Sequence, residues 1–129
     1  NQNYATLETS KRLVDAGIVL ETEKVWAFVP GNITKPNSKG KWALIQKPLY
    51  PFKKQYPAPS MAEIWRELPD SINCNGNTHE KNLRIVGKDN VASYQYGSMY
   101  YGSHKEFTNP TDALIDLLIW VRKQEEVKG

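Results

Sequence analysis

The sequence predicts one α+β domain over residues 1–129, with three helices covering a largely antiparallel four-stranded sheet. Two patterns indicate this class. Apolar residues recur at helical spacing in three segments that each begin with a capping residue. Segments of alternating side chains lie between them, bounded by turn-forming residues. The predicted order is helix–hairpin–helix–hairpin–helix. A length of 129 residues with 40% apolar content is enough to bury one core.

The first helix is predicted from about Thr6 to Ala16. Thr6 is a capping residue, because its hydroxyl can accept a hydrogen bond from an amide of the first turn. Gly17 ends the helix, as a glycine in the left-handed conformation commonly does. The apolar side of the helix consists of Leu7, Val14 and Ile18.

The first hairpin is predicted from strands at Lys24 to Val29 and Lys41 to Lys47, which alternate between two faces. A long polar loop containing Pro30 and Gly31 separates them. An irregular crossing follows, because four prolines in twelve residues suit neither a helix interior nor a central strand. These prolines are Pro48, Pro51, Pro57 and Pro59.

The second helix begins at Ser60, where Ser60 and Glu63 have the spacing of a capping box, and it ends at Pro69. The polar stretch around Cys74 is predicted to be a loop. The second hairpin follows, with strands from Asn82 to Val86 and from Val91 to Tyr101. Within the longer strand, Gly97 is predicted to mark a bulge.

The third helix begins at Asn109 and Pro110, which suit the cap and the first helical position. Its apolar residues from Ala113 to Val121 extend well beyond one face. Either both sides of the helix are buried, or one side meets a second copy of the chain or another protein. Asp116 interrupts this longest apolar run, and no run approaches the roughly 18 residues that a membrane span needs.

Three segments resemble uncharacterised phage and prophage proteins of Bacteroides-type bacteria. They are LETSKRLVDAGI at residues 7–18, PAPSMAEIWRELP at residues 57–69 and NPTDALI at residues 109–115. The resemblance implies an origin in phage or bacteria and a location in the cytoplasm of the bacterial cell. A single cysteine, which cannot form an internal disulfide, also favours a reducing compartment. The family has no assigned activity, so the resemblance implies no site residues.

The segment from Lys24 to Ala62 contains seven lysines and no acidic residue, while the whole chain has a net charge of only +3. Lysines and aromatic rings together are typical of surfaces that bind phosphates and stack on bases. The alternative is a solvated hairpin whose aromatic residues are core and whose lysines protect the strand edges. The absence of arginine argues against base readout. The candidate contacts to nucleic acid or another anion are Lys35, Lys39, Lys41, Lys53, Lys54, Trp42, Tyr50 and Phe52.

Tyrosines in the fourth strand and apolar residues of the third helix form a second candidate surface, for a protein partner or a homodimer. The alternative for the tyrosines is packing across strands beneath a helix. The candidate interface residues are Tyr94, Tyr96, Tyr100, Ile115, Ile119 and Trp120.

Catalytic and metal-binding patterns are weak. Cys74 and His79 have neither a further pair to complete a zinc site nor an evident third residue to orient a nucleophile. Asp112 and Asp116 share a helical face, but a role at the helix N-terminus and in relieving an apolar run explains both. We therefore expect a non-enzymatic interaction module without a cofactor or metal. The alternative is a nucleic-acid-binding accessory protein.

Overall fold

The computed structural model describes residues 3–31, 34 and 39–128. These residues form an α+β structure of three helices and two antiparallel sheets. The elements are α1 (Leu7–Asp15), β1 (Lys24–Val29), β2 (Lys41–Gln46), β3 (Gln55–Ala58), α2 (Met61–Glu67), β4 (Ser71–Cys74), β5 (Asn77–Val86), β6 (Asp89–Tyr96), β7 (Met99–Tyr101) and α3 (Pro110–Lys128).

The predicted single sheet is replaced by two sheets. The first has the order β2-β1-β3 and the second has the order β4-β5-β6-β7. Every pair of neighbouring strands is antiparallel. Both predicted hairpins form, as β1–β2 and β5–β6, but each also pairs with strands that the sequence pattern did not indicate.

Local capping explains where α1 begins and ends. The Thr6 hydroxyl accepts a hydrogen bond from the Thr9 amide at 3.3 Å. At the other end, Gly17 has φ +78°, and the Ile18 amide donates to the Leu13 carbonyl at 3.2 Å. This is a Schellman motif, in which glycine supplies the left-handed turn and two apolar side chains meet across it.

The caps of the other two helices also form as the sequence predicts. The Ser60 hydroxyl accepts from the Glu63 amide, and the Ser60 amide donates to the Glu63 carboxylate at 2.7 Å. The Asn109 side-chain oxygen accepts from the amides of Thr111 and Asp112. Each cap satisfies amides that have no partner within the first turn of the helix.

The proline-rich crossing contains the unpredicted strand β3, which includes Pro57. This strand lies at the edge of its sheet, where proline is tolerated. The Phe28 amide donates to the Lys54 carbonyl at 3.0 Å. Phe28 and Lys54 are therefore a hydrogen-bonded pair. Because hydrogen-bonded and non-hydrogen-bonded pairs alternate along an antiparallel ladder, Val25 and Pro57, three pairs away, are a non-hydrogen-bonded pair. The Pro57 nitrogen therefore points away from β1 and costs no hydrogen bond.

The polar stretch around Cys74, predicted to be a loop, is the β4–β5 hairpin. Asn75 and Gly76 form its two-residue turn with φ values of +53° and +81°. Two left-handed residues in Asn-Gly order are the type I′ turn that suits twisted antiparallel strands. The predicted long strand from Val91 to Tyr101 is instead divided into β6 and β7 by a turn at Gly97, where φ is +60°.

Helix α3 lies at the centre of the core. It packs against α1 and α2 on one side and against β6 on the other. Residues 111–119 are all buried, which accounts for an apolar stripe wider than one face. The main partners of α3 in the core include Leu13, Ile64, Leu68 and Tyr94. Within the described residues, no helix is both long and apolar enough to cross a membrane.

Candidate nucleic-acid interface

The rings of Phe28, Trp42 and Tyr56 lie side by side on one face of the three-stranded sheet, which they share with Trp26. The register pairs Phe28 with Trp42 and Trp26 with Tyr56, so alternation places all four side chains on this face. The Phe28 and Trp42 rings meet edge to face with centroids 5.5 Å apart. The Trp42 and Tyr56 rings are 5.7 Å apart. Trp26 has a structural role, because its indole N–H donates to the Ala5 carbonyl at 2.8 Å.

Lysine ammonium groups lie over these rings. The Lys11 Nζ is 5.2 Å from the Trp42 centroid and 5.8 Å from the Tyr56 centroid. The Lys54 Nζ is 5.8 Å from the Phe28 centroid. These distances are within the range of cation–π attraction. We call Phe28, Trp42, Tyr56, Lys11 and Lys54 the lysine–aromatic face.

The lysine–aromatic face remains open to solvent in part. Its three rings are half-buried, because α1 packs over β3 rather than across the whole sheet. Neither Lys11 nor Lys54 forms an ion pair with any carboxylate that the structure describes. The face therefore offers both accessible π surface and uncompensated positive charge.

The predicted anion contacts are only partly brought together. Trp42 and Lys54 belong to the lysine–aromatic face, whereas Lys41 is paired with Val29 on the opposite face of the sheet. Lys39 and Lys53 are exposed, and Phe52 is half-buried beside Gln55. Tyr50 is 81% exposed in the loop between β2 and β3. Lys35 lies outside the described residues.

Sequence reasoning missed Lys11. It lies on α1, outside the acid-free segment, and the helical pattern shows only that it faces outward. Its position over Trp42, about thirty positions along the chain, follows from the packing of α1 against β3 and leaves no local signal. Phe28 and Tyr56 were visible as aromatic residues of the segment, but their common face with Trp42 depends on the strand register.

Three residues of the predicted protein interface are buried in the core. Tyr94 and Ile115 have no exposed surface, and Ile119 is 6% exposed. The physical reason is that α3 is covered on both sides, by helices and by β6. In the fold these three residues therefore belong to the core of the chain itself. Tyr96 remains half exposed and Trp120 partly buried.

Tyr100, the last of these candidates, packs against Arg84 on the four-stranded sheet. The guanidinium carbon of Arg84 lies 4.0 Å from the centroid of the Tyr100 ring. The Tyr100 hydroxyl also accepts a hydrogen bond from the Gln95 amide group at 3.2 Å. The structure therefore places Tyr100 among polar neighbours of its own sheet, apart from Trp120 on α3.

The paired carboxylates of α3 connect elements of the fold. Asp112 accepts from the backbone amide and the hydroxyl of Thr6, at 2.9 and 2.8 Å. Asp116 binds Arg12 of α1 at 3.1 Å and also accepts from the Ser103 hydroxyl. Both carboxylates thus hold α1 or a loop against α3. Among the described residues, no three His, Cys, Asp or Glu side chains are grouped to hold a metal ion.

Comparison with known proteins gives no match: no family model, no curated protein and no solved structure is similar to this chain. The interpretation of its surfaces therefore depends on their chemistry and geometry alone.

Proposed function

We propose that the protein binds single-stranded nucleic acid through the lysine–aromatic face, without catalysing a reaction. The observation that carries this proposal is the position of two lysines, without an ion pair to any described carboxylate, over half-buried aromatic rings. Bases stack on such rings while lysines contact the phosphates between them. A role in the bacterial cytoplasm, which the resemblance to phage proteins implies, is part of the proposal.

The charge distribution supports a polyanionic ligand. The segment containing all of the three-stranded sheet has seven lysines and no Asp or Glu. A local positive field of this kind raises the concentration of anions near the surface and speeds their encounter. The lysine–aromatic face lies within this field and adds a lysine from α1.

The residue types favour binding that is tolerant of sequence. Lysine is a compact point charge, whereas base recognition in a groove commonly uses the planar fork of arginine. Stacking on aromatic rings accepts every base, because each base has a π surface. A sheet face with partly accessible rings also suits unpaired bases better than a duplex, whose bases are already stacked.

The lysines can be tested by fluorescence anisotropy with a labelled 20-nucleotide single strand at 50 and 200 mM salt. We expect Lys11→Gln with Lys54→Gln to weaken binding about tenfold, from two contacts of about 0.7 kcal/mol each. The slope of log affinity against log salt should become shallower by about 1.4, since each contact to a single strand contributes about 0.7.

A matched control removes two positive charges from outside the lysine–aromatic face. Lys88 and Lys123 are exposed and lie outside the lysine–aromatic face, so Lys88→Gln with Lys123→Gln should leave most of the affinity intact. Equal weakening by both double variants would show nonspecific attraction and overturn the proposed site. Failure of the unmodified protein to bind at 50 mM salt would end the proposal.

The contribution of base stacking is tested by comparing Trp42→Leu with Trp65→Leu. Trp42→Leu should weaken binding by about 1–3 kcal/mol for the base that loses its ring. Trp65→Leu removes a comparable ring on α2, which has the Lys81 Nζ 4.4 Å from its centroid. Lys81 is already ion-paired with Asp70 at 3.0 Å, so Trp65→Leu should bind as the unmodified protein does. Circular dichroism establishes that both variants are folded.

A further inference from the structure

A second candidate site shares no residue with the lysine–aromatic face. A cleft of about 350 Å³ opens between the turn of the β4–β5 hairpin, strand β7 and the last turns of α3. This volume lies at the lower end of the range for small-molecule sites. The lining residues used below are Cys74, Asn75, Tyr101, Trp120 and Glu125. None of them belongs to the lysine–aromatic face.

The hairpin holds one wall of the cleft in place. The type I′ turn at Asn75 and Gly76 fixes the end of β4, and the Asn75 side-chain amide donates to the Tyr101 hydroxyl at 3.2 Å. The Tyr101 ring and the buried His79 ring also meet edge to face, with centroids 4.6 Å apart. A ring held by this packing and by its hydroxyl is preorganised to contact a ligand.

The charge of the cleft is negative. Glu125 is the only formally charged residue among those that line it, and it forms no ion pair with a described cation. It lies near the C-terminal end of α3, where the helix dipole favours positive rather than negative charge. A carboxylate there is unfavourable for the helix alone, and a bound cation would compensate it.

We propose that this cleft binds a small organic ammonium compound. The rings of Tyr101 and Trp120 contact the alkyl groups around the positive nitrogen, and Glu125 supplies the counter-charge. Aromatic walls attract alkylammonium groups through their negative π faces, and the attraction increases when water is excluded. The proposal does not depend on nucleic-acid binding, and each can fail without the other.

Cys74 makes the test specific, because it is the only cysteine of the chain and it lines the cleft. Methyl methanethiosulfonate is a neutral reagent: the Cys74 thiolate attacks its sulfenyl sulfur, forms a methyl disulfide and expels methanesulfinate. The rate is followed by mass spectrometry at constant ionic strength. We expect choline to slow this reaction at least threefold, and to do so in a saturable way below 20 mM.

The matched control ligand is 3,3-dimethyl-1-butanol, which has the shape of choline with carbon in place of the charged nitrogen. It should protect Cys74 much less. Equal protection by both compounds would show a simple apolar groove and overturn the proposal. No protection by choline at 20 mM would overturn it as well.

Two carboxylate variants identify the counter-charge. Glu125→Gln should abolish most of the protection by choline. Glu80→Gln removes an equal charge from an exposed position of β5 outside the cleft, and it should preserve the protection. If Glu125→Gln is protected as well as the unmodified protein, Glu125 does not bind the cation and the site as proposed is wrong.

Discussion

Tyr94 is among the largest side chains that the fold buries completely, and its polar end is not left without a partner. Its hydroxyl donates to the Pro69 carbonyl at 2.6 Å, just after α2. The ring contributes to the core around α3 while the hydroxyl ties β6 to the end of α2. One residue thereby connects three elements, because tyrosine combines an apolar body with a polar tip.

Replacing Tyr94 by phenylalanine should lower the free energy of unfolding by about 1 kcal/mol, since the Pro69 carbonyl loses its donor. The stability of the variant should also depend less on pH above pH 10. Burial raises the pKa of Tyr94, so the unfolded chain ionises first and stability falls as pH rises above the ordinary value of 10.0.

Urea unfolding between pH 8 and 11 measures both effects. The fall in stability above pH 10 should be smaller in Tyr94→Phe than in the unmodified protein. The control is Tyr96→Phe, which removes a hydroxyl from a half-exposed ring and should leave the free energy of unfolding at pH 8 unchanged. Parallel curves for all three proteins would contradict the assignment to Tyr94.

At the scale of elements, the turn of the β4–β5 hairpin depends on one glycine. Gly76 has φ +81°, and a Cβ there would meet no atom within 4 Å, so the constraint is the backbone conformation rather than space. Gly76→Ala should therefore cost about 1 kcal/mol, whereas Gly76→Asn should cost less, because asparagine tolerates the left-handed region. Thermal unfolding measures the stability of both variants. An equal loss of stability in Gly76→Ala and Gly76→Asn would contradict a backbone constraint and indicate steric crowding instead.

The elements also show what the sequence could predict. Caps at Thr6, Ser60 and Asn109 depend on residues three positions apart or fewer, and all three form as predicted. The β4–β5 hairpin could have been recognised from Asn75-Gly76, but its strands are too polar to show clear alternation. Strand β3 was hidden by Pro57, whose tolerance depends on an edge position that only the sheet order reveals.

At the scale of the whole molecule, the arrangement of helices decides which surfaces remain. The seven lysines of the acid-free segment were evident from the sequence, but the lysine–aromatic face required the packing of α1 on β3. The packing of α1, α2 and β6 around α3 removes Tyr94, Ile115 and Ile119 from the surface. Long-range packing of this kind has no signature in residue spacing.

This burial leads to an expectation for the oligomeric state. Residues 111–119 of α3 are buried within the fold, so this apolar stretch is not available to form a dimer interface. We expect light scattering to give a mass near the 14.7 kDa of one chain at tens of micromolar. A dimer that persists on dilution to one micromolar would contradict this expectation and restore self-association as a function.

The orientation of Pro57 has a consequence for the behaviour of the protein at high concentration. Its nitrogen faces the free side of β3, so this outer rim presents one amide donor fewer to an incoming strand. Fibril growth by edge-to-edge templating needs an unbroken row of such donors. Pro57 therefore helps to prevent neighbouring copies from pairing strand to strand at the edge of a sheet that is rich in aromatic residues.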